Sequence, residues 1–359
     1  TGIENTAVGY ASLSANTGSY NDAFGRSALQ LNTSGSENSA FGRFALFLNT
    51  TGIKNVAIGG NALQANTTAS NNTAVGYAAL LGNTTGGSNT AVGTIALTSC
   101  TTAANNTAVG YAALSANTTG NGQNSAFGAY ALEETTTGEL NTAVGYEALE
   151  KNTTASGNTA VGWNSLNANT TGDRNVAIGT SAMLLNTLTD RCVAVGYQAL
   201  RTQAGLNDDA YNVAIGYSAM YSTTQSINNT AVGGLSLDAC TSGNNNTALG
   251  YGALTDDTTG EANVAVGSFA GSNITTSFGN TTVGYLAGDD ITTGVRNTII
   301  GYLADAGASG ANDRIVIGRS VDGTTNDTIT IGISTNIAEL SLNGSDTSWA
   351  ASSDERLKE

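Results

Sequence analysis

A glycine preceded by a small apolar motif returns every seventeen residues along almost the whole chain. The stretch NTAVGYAALSANTTG at 106–120 reappears as NTAVGYEALEKNTTASG from 141 and as NVAIGGNALQANTTASN from 55. Taking each copy's glycine as its origin, the glycines fall at 9, 25, 42, 59, 76, 93, 110, 128, 145, 162, 179, 196, 216, 233, 250, 267, 284, 301 and 318. The step is 17 except for 16 after Gly9, 18 after Gly110 and 20 after Gly196, and Gly332 follows after 14. A short fixed period dictates a solenoid, because one copy cannot bury a face alone and must stack on its neighbours.

The columns of the repeat define the coil. Position −4 from the glycine is Asn in 17 of the first 18 copies, from Asn5 to Asn297. Position −2 is Ala from Ala7 to Ala265, and position −1 is always Val, Ile, Phe or Leu. Position +4 is Leu or Met through residue 254, and position +7 is Asn in nine copies. The rest of each copy is Thr, Ser, Gly and Asn, which is turn chemistry. Each copy is therefore expected to form a short strand (NTAVG), a bend at Gly, a second short strand (YAAL) and a polar turn. No segment shows the 3.6-residue apolar period of a helix. The fold class expected is all-β: a parallel β-roll of about 17 residues per coil. At about 4.7 Å per coil, eighteen such coils would span roughly 80 Å.

Composition agrees with thin layers. The 359 residues include 46 Gly, no Pro and no His, only 11% are charged, and the apolar share is mostly Ala and Val. Along the strand, positions −4, −2 and 0 share one face, and −3 and −1 share the other. Both faces are constrained, as in a strand covered on both sides. A two-strand coil of this size has little interior, so three copies of the chain are expected around a common axis, with the glycine face between subunits. The rival is a monomeric three-sided β-helix, which wants an aliphatic residue about every six positions. Here the large aliphatics recur only at −1 and +4.

Stacked Asn side chains can bond the coil above and the coil below. A structural Asn ladder is expected through Asn5, Asn72, Asn106, Asn141, Asn158 and Asn229. The three cysteines fall in the same columns, Cys192 at −4 and Cys100 and Cys240 at +7. Their spacing suits neither a disulfide framework nor a zinc site, so they are expected to be buried ladder replacements. Tyr follows the glycine in nine copies, a stripe that seals packing or stacks on sugars. The 20-residue copy contains RTQAGLNDDAYN at 201–212, and Arg201, Asp208 and Asp209 are the candidates there for contact with a ligand. No phosphate-binding loop, calcium-loop spacing or catalytic His is present, so no cofactor and no metal are expected. The net charge of −15 disfavours nucleic acid or an anionic membrane as partner, and no apolar run of membrane-spanning length occurs.

From residue 267 the text changes, and position +4 becomes Gly271, Gly288 and Asp305. Three regions are expected: a repetitive shaft at 1–318, a non-repetitive β neck at 319–350 holding Trp349, and a junction at 351–359. That junction ends in SDERLKE. It resembles the junction of bacteriophage tail fibres and tailspikes that carry an endosialidase-type (peptidase S74) intramolecular chaperone. The resemblance implies Ser353, before Asp354, as the nucleophile of a single self-cleavage and Lys358 as its neighbouring base. The N-[TSV]-A-[VI]-G coils of residues 5–318 also resemble the head repeats of trimeric autotransporter adhesins, whose copies are shorter. That resemblance implies a left-handed parallel roll in a trimer.

The function expected from these readings is structural and adhesive: the shaft of a phage tail fibre, extracellular, part of the virion and used in host attachment. Its partners would be itself, as a homotrimer, and a host cell-surface receptor, a glycan among the candidates. No enzymatic turnover is expected beyond the single self-cleavage. The alternatives are a bacterial surface adhesin head and an ice-binding solenoid. The second needs a regular Thr array, whereas the spacing places the threonines at −3 and in irregular turns.

Overall fold

The computed structural model describes residues 2–203, 209–342 and 350–351. The described residues form strands and turns with no helix, a parallel β-solenoid of about 19 turns with one turn per sequence repeat. Two compact units divide the chain, Thr1–Leu188 and Thr189–Glu359.

In the first unit each coil contributes one three-residue strand. These are β1 (Thr6–Val8), β2 (Asp22–Phe24), β3 (Ser39–Phe41), β4 (Val56–Ile58), β5 (Thr73–Val75), β6 (Thr90–Val92), β7 (Thr107–Val109), β8 (Ser125–Phe127), β9 (Thr142–Val144), β10 (Thr159–Val161) and β11 (Val176–Ile178). Successive strands pair in parallel with no slip of register, so Ala74 lies opposite Ala91 and Ala91 opposite Ala108. The second unit holds β12 (Val193–Val195), β13 (Val213–Ile215), β14 (Thr230–Val232), β15 (Thr247–Leu249), β16 (Val264–Val266), β17 (Thr281–Val283) and β18 (Thr298–Ile300). Its strands then lengthen to six residues in β19 (Arg314–Arg319), β20 (Thr328–Ile333) and β21 (Asn336–Ser341). The parallel ladder runs on through β20, and β21 then turns back antiparallel to β20 and pairs with β22 (Ala350–Ala351).

The residues after the glycine do not form the second strand expected from the sequence. Positions +2 and +4 are left-handed, as in Ala78 (φ 54°) and Leu80 (φ 52°). The amides there point alternately up and down the stack. Ala78 N–H donates to Gly60 O of the preceding coil (2.9 Å), and Leu80 N–H donates to Ala96 O of the following coil (3.0 Å). A left-handed non-glycine residue costs on the order of 1 kcal/mol. Two factors offset this cost: the inter-coil bonds, and complete burial of the leucine, which is 0% exposed at Leu80.

This turn folds Leu at +4 onto the Ala at −2 of the same chain and so encloses a core within one coil. Ala23, Ala40, Ala57 and Ala74 are all fully buried, as are the Asn residues at −4 and +7 from Asn21 to Asn263. The expectation that the glycine face lies between subunits is therefore wrong: that face is the interior of a single chain. The glycine itself is obligatory on two counts. Gly76 has φ +137°, and a Cβ there would lie 2.5 Å from Gly93 O of the next coil.

In the second unit the core changes composition at constant shape. Where Leu at +4 becomes Gly271 and Gly288, position +7, Cys240 and Asp257 in the two preceding coils, becomes Ile274 and Ile291, and position −2 of the following coils becomes Thr282 and Ile299. All four of these larger side chains are fully buried. A Cβ on Gly288 would meet Thr282 Cγ2 at 2.5 Å and Ile291 Cδ1 at 3.4 Å. The volume lost at +4 is thus filled from +7 and −2, as a close-packed interior requires.

Gly76→Ala should destabilise the protein by at least the roughly 1–3 kcal/mol of backbone strain. Gly60→Ala is the control, because the nearest atom to its added Cβ is Tyr77 Cδ2 at 3.6 Å. Thermal melts should show a lower transition for the first variant and an unchanged one for the second.

Candidate functional site

Two columns of Asn cross-brace the interior. At −4, Asn38 Nδ2 donates to Gly52 O of its own coil (2.9 Å), and its backbone N–H donates to Asn21 Oδ1 of the preceding coil (3.0 Å). At +7, Asn49 Nδ2 donates to the same Gly52 O (3.0 Å) and to Asn32 Oδ1 of the preceding coil (2.7 Å). One turn carbonyl thus receives both amides. The pattern holds at the positions singled out from sequence. Asn5, Asn72, Asn141, Asn158 and Asn229 donate to Gly18, Gly86, Ala155, Gly172 and Gly243 carbonyls at 2.8–3.0 Å. The backbone N–H of Asn106 donates to Asn89 Oδ1 at 2.9 Å.

The odd residues of these columns keep part of the bonding. Cys100 and Cys240 thiols lie 3.4 and 3.7 Å from the Ala103 and Gly243 carbonyls, which occupy the same place as Gly52 O. Cys192 Sγ lies 3.5 Å from Asp190 O. All three are fully buried thiols outside any disulfide, and burial pushes each up to about 12. Asp257 stands at +7, fully buried, accepting from Gly260 N–H (2.6 Å). Burial pushes its carboxyl up to about 7, against the smaller lowering effect of its bonds to Gly260 and Asn263. Arg314 terminates the −4 column, donating to the carbonyls of Ala306 and Gly323 and to Asn326 Oδ1.

A second acidic group was missed from sequence, because it is assembled across coils. The carboxylates of Asp289, Asp290 and Asp305 have oxygens within 4.8 Å of one another. Asp305 sits at the interior position +4 and accepts from Asp290 N–H (3.0 Å) and Ala306 N–H (2.6 Å). Burial, followed by its contact with Asp289, raises its carboxyl well above the usual range. The sequence signal was an acid in a column filled by Leu or Met through residue 254.

The outer surface carries three regular columns. Position −1 faces outward and is apolar in every coil, with Phe41, Ile58, Phe127 and Ile178 about two-fifths exposed. Position +1 bears exposed aromatics, among them Tyr77, Tyr146, Trp163 and Tyr217, and neighbouring rings touch: Tyr197 stacks on Tyr217 with centroids 5.5 Å apart. The turn threonines are regular, contrary to the reading from spacing. Thr50, Thr67, Thr84 and Thr101 each donate Oγ1 to the threonine carbonyl of the next coil at 2.8–3.1 Å. Beside them Thr51, Thr68, Thr85 and Thr102 are exposed.

The contact residues expected around the insertion are partly committed to structure. Asp209 pairs with Arg191 and accepts from the Tyr211 hydroxyl (3.0 Å), and Arg201 lies over the Tyr221 ring at 5.4 Å. Asp208, Ser353 and Lys358 lie outside the described residues, as does Trp349. No family model, curated protein or solved structure matches the chain.

The raised Asp257 carboxyl sets a pH dependence. Its folded-state value of about 7 lies above that of an unfolded Asp. Its contribution to stability is therefore complete below about pH 4 and is lost as pH rises through about 7. Asp257→Asn, which puts the prevailing residue of the column in its place, should raise the melting temperature at pH 8 and leave it nearly unchanged at pH 4.

Proposed function

We propose that the protein is a structural and adhesive fibre component, a homotrimeric shaft of the phage tail-fibre type used in host attachment. The observation that carries self-association is the outward apolar column at −1. It repeats once per coil from Val8 to Ile317 and is exposed or partly exposed throughout on the single chain. A partner covering it must match a coil spacing of about 4.7–4.9 Å over many turns. A second copy of the chain does so by construction. Charge supports the same face: of the 27 acidic residues, only Asp22 falls within positions −4 to +1 of the coils from Gly9 to Gly301. With −15 per chain, association needs such an acid-poor face. The tail-fibre assignment itself rests on the resemblance of the coils and of SDERLKE at 353–359, and with it the self-cleavage at Ser353.

Light scattering after size exclusion should give about 108 kDa, three times the 35.9 kDa chain. The triple variant Ile58→Lys/Phe127→Lys/Ile178→Lys should fall to the single-chain mass with its circular dichroism retained. A single-chain mass for the unaltered protein would contradict the proposal.

A second reading is favoured by the ordered threonines. Eight consecutive coils, from Thr50–Thr51 to Thr170–Thr171, carry a Thr pair at +8 and +9. An uncharged lattice of hydroxyl and methyl groups at coil spacing is the kind of surface that orders water into ice. Under this reading the protein inhibits ice recrystallisation at micromolar concentration, and Thr85→Lys/Thr102→Lys/Thr119→Lys abolishes the effect. Ice growth unaffected by the unaltered protein disposes of it.

A further inference from the structure

One stretch of the first unit differs from the rest of the surface. Tyr111, Tyr130, Tyr146 and Trp163 come from four consecutive coils. The first three form a chain of edge-to-face contacts, Tyr111 to Tyr130 at 5.3 Å and Tyr130 to Tyr146 at 5.8 Å. Backbone bonds hold the coils in line beneath them: Tyr130 N–H donates to Tyr111 O (2.9 Å) and Asn164 N–H to Tyr146 O (3.0 Å). Tyr111, Tyr146 and Trp163 are about half exposed. The row crosses three coil steps, about 14 Å.

Four carboxylates, Glu133, Glu134, Glu147 and Glu150, belong to the two middle coils of this row. Glu134 and Glu150 lie on adjacent coils, joined by Glu134 N–H donating to Glu150 O (2.9 Å). Glu150 Oε2 is held by Asn167 Nδ2 (2.8 Å), whose amide also donates to Glu147 O (3.1 Å). The Glu133 carboxyl is raised by burial and then by its neighbours Glu150, Glu134 and Glu147. Between residues 94 and 163 there are five acids and one base, Lys151, a balance of −4. Neither ion pair found among the described residues involves these carboxylates.

We infer that this aromatic and acidic strip is a docking site for a lysine-bearing extended segment of a partner protein. Ammonium groups would lie over the exposed faces of Tyr146 and Trp163 and pair with the glutamates, relieving their mutual repulsion. An extended segment advances about 3.3 Å per residue, so roughly four residues span the row, with alternate side chains facing it. A neutral sugar would stack on the rings but gain nothing from the field. A second copy of this surface would be repelled by it. The carboxylates of the strip lie at +2, +5 and +6, outside the −1 column that carries self-association, and peptide titration and solution mass read the two separately, so the two proposals fail separately.

The test titrates the full chain with the peptide Lys-Ser-Lys-Ser-Lys-Ser-Lys, following Trp163 fluorescence and heat. The controls are the same peptide with Gln for Lys and a neutral hexasaccharide. Saturable binding is expected for the lysine peptide alone, weakened about tenfold, or 1.4 kcal/mol, in Glu133→Gln/Glu147→Gln/Glu150→Gln. Tyr146→Ala should weaken it several-fold at an unchanged melting temperature, and added salt should weaken it further. The proposal is overturned by equal binding of the Gln peptide or the sugar. Unaltered affinity in the triple variant overturns it too, as does the absence of a signal with up to about 1 mM lysine peptide.

Discussion

The side-chain amide of asparagine is the interaction on which the structure depends. An amide has donors and an acceptor set at opposite ends, so a stack of them can bond upward and downward at once. At −4 the acceptor takes the backbone N–H of the next coil, and the donor crosses the interior to the turn that closes its own coil. A buried amide left unpaired costs about 1–3 kcal/mol, so each coil is satisfied only when its neighbours are in place. This bonding makes the interior narrow. Only Ala fits at −2 beneath Leu at +4, and only Gly fits where successive coils approach most closely.

The solenoid was legible because its periodicity needs no knowledge of the coil's shape. Seventeen-residue steps, a small residue at −2 and turn residues after +7 each point to stacked strands. The path within a coil was not legible. YAAL has the composition of a strand, and nothing in the residue types announces that Leu80 and Leu114 adopt a left-handed backbone. That conformation is a product of stacking, stabilised by inter-coil bonds that a lone copy lacks. Missing it reversed the inside and the outside, because without the turn the coil has no core of its own. The exchange of Leu at +4 for Ile at +7 was half legible: the loss of Leu at Gly271 and Gly288 stood out, but its replacement by Ile274 and Ile291 is apparent only once both positions share one interior.

The surface divides by column more cleanly than by region. Apolar residues at −1, aromatics at +1 and threonines at +8 and +9 run as parallel stripes, because a substitution repeated at one position becomes a line once the coils stack. Acids gather mainly at −6, −5, +5 and +6, leaving the strand face nearly free of them. A fold of this kind can therefore carry separate surfaces for self-association and for a partner without altering its interior. The insertion at 201–212 follows the same logic, since Asp209 and Arg191 pair at the edge while Asn212 keeps its place in the ladder.

The most direct test is hydrogen exchange at the side-chain amides of protein labelled with nitrogen-15 at asparagine. The ladder residues, Asn38, Asn49, Asn72 and Asn141 among them, should exchange only through opening of the stack, far more slowly than the exposed Asn71 and Asn105 of the same chain. Ladder amides that exchange as fast as those two would show that the asparagines do not hold the coils together.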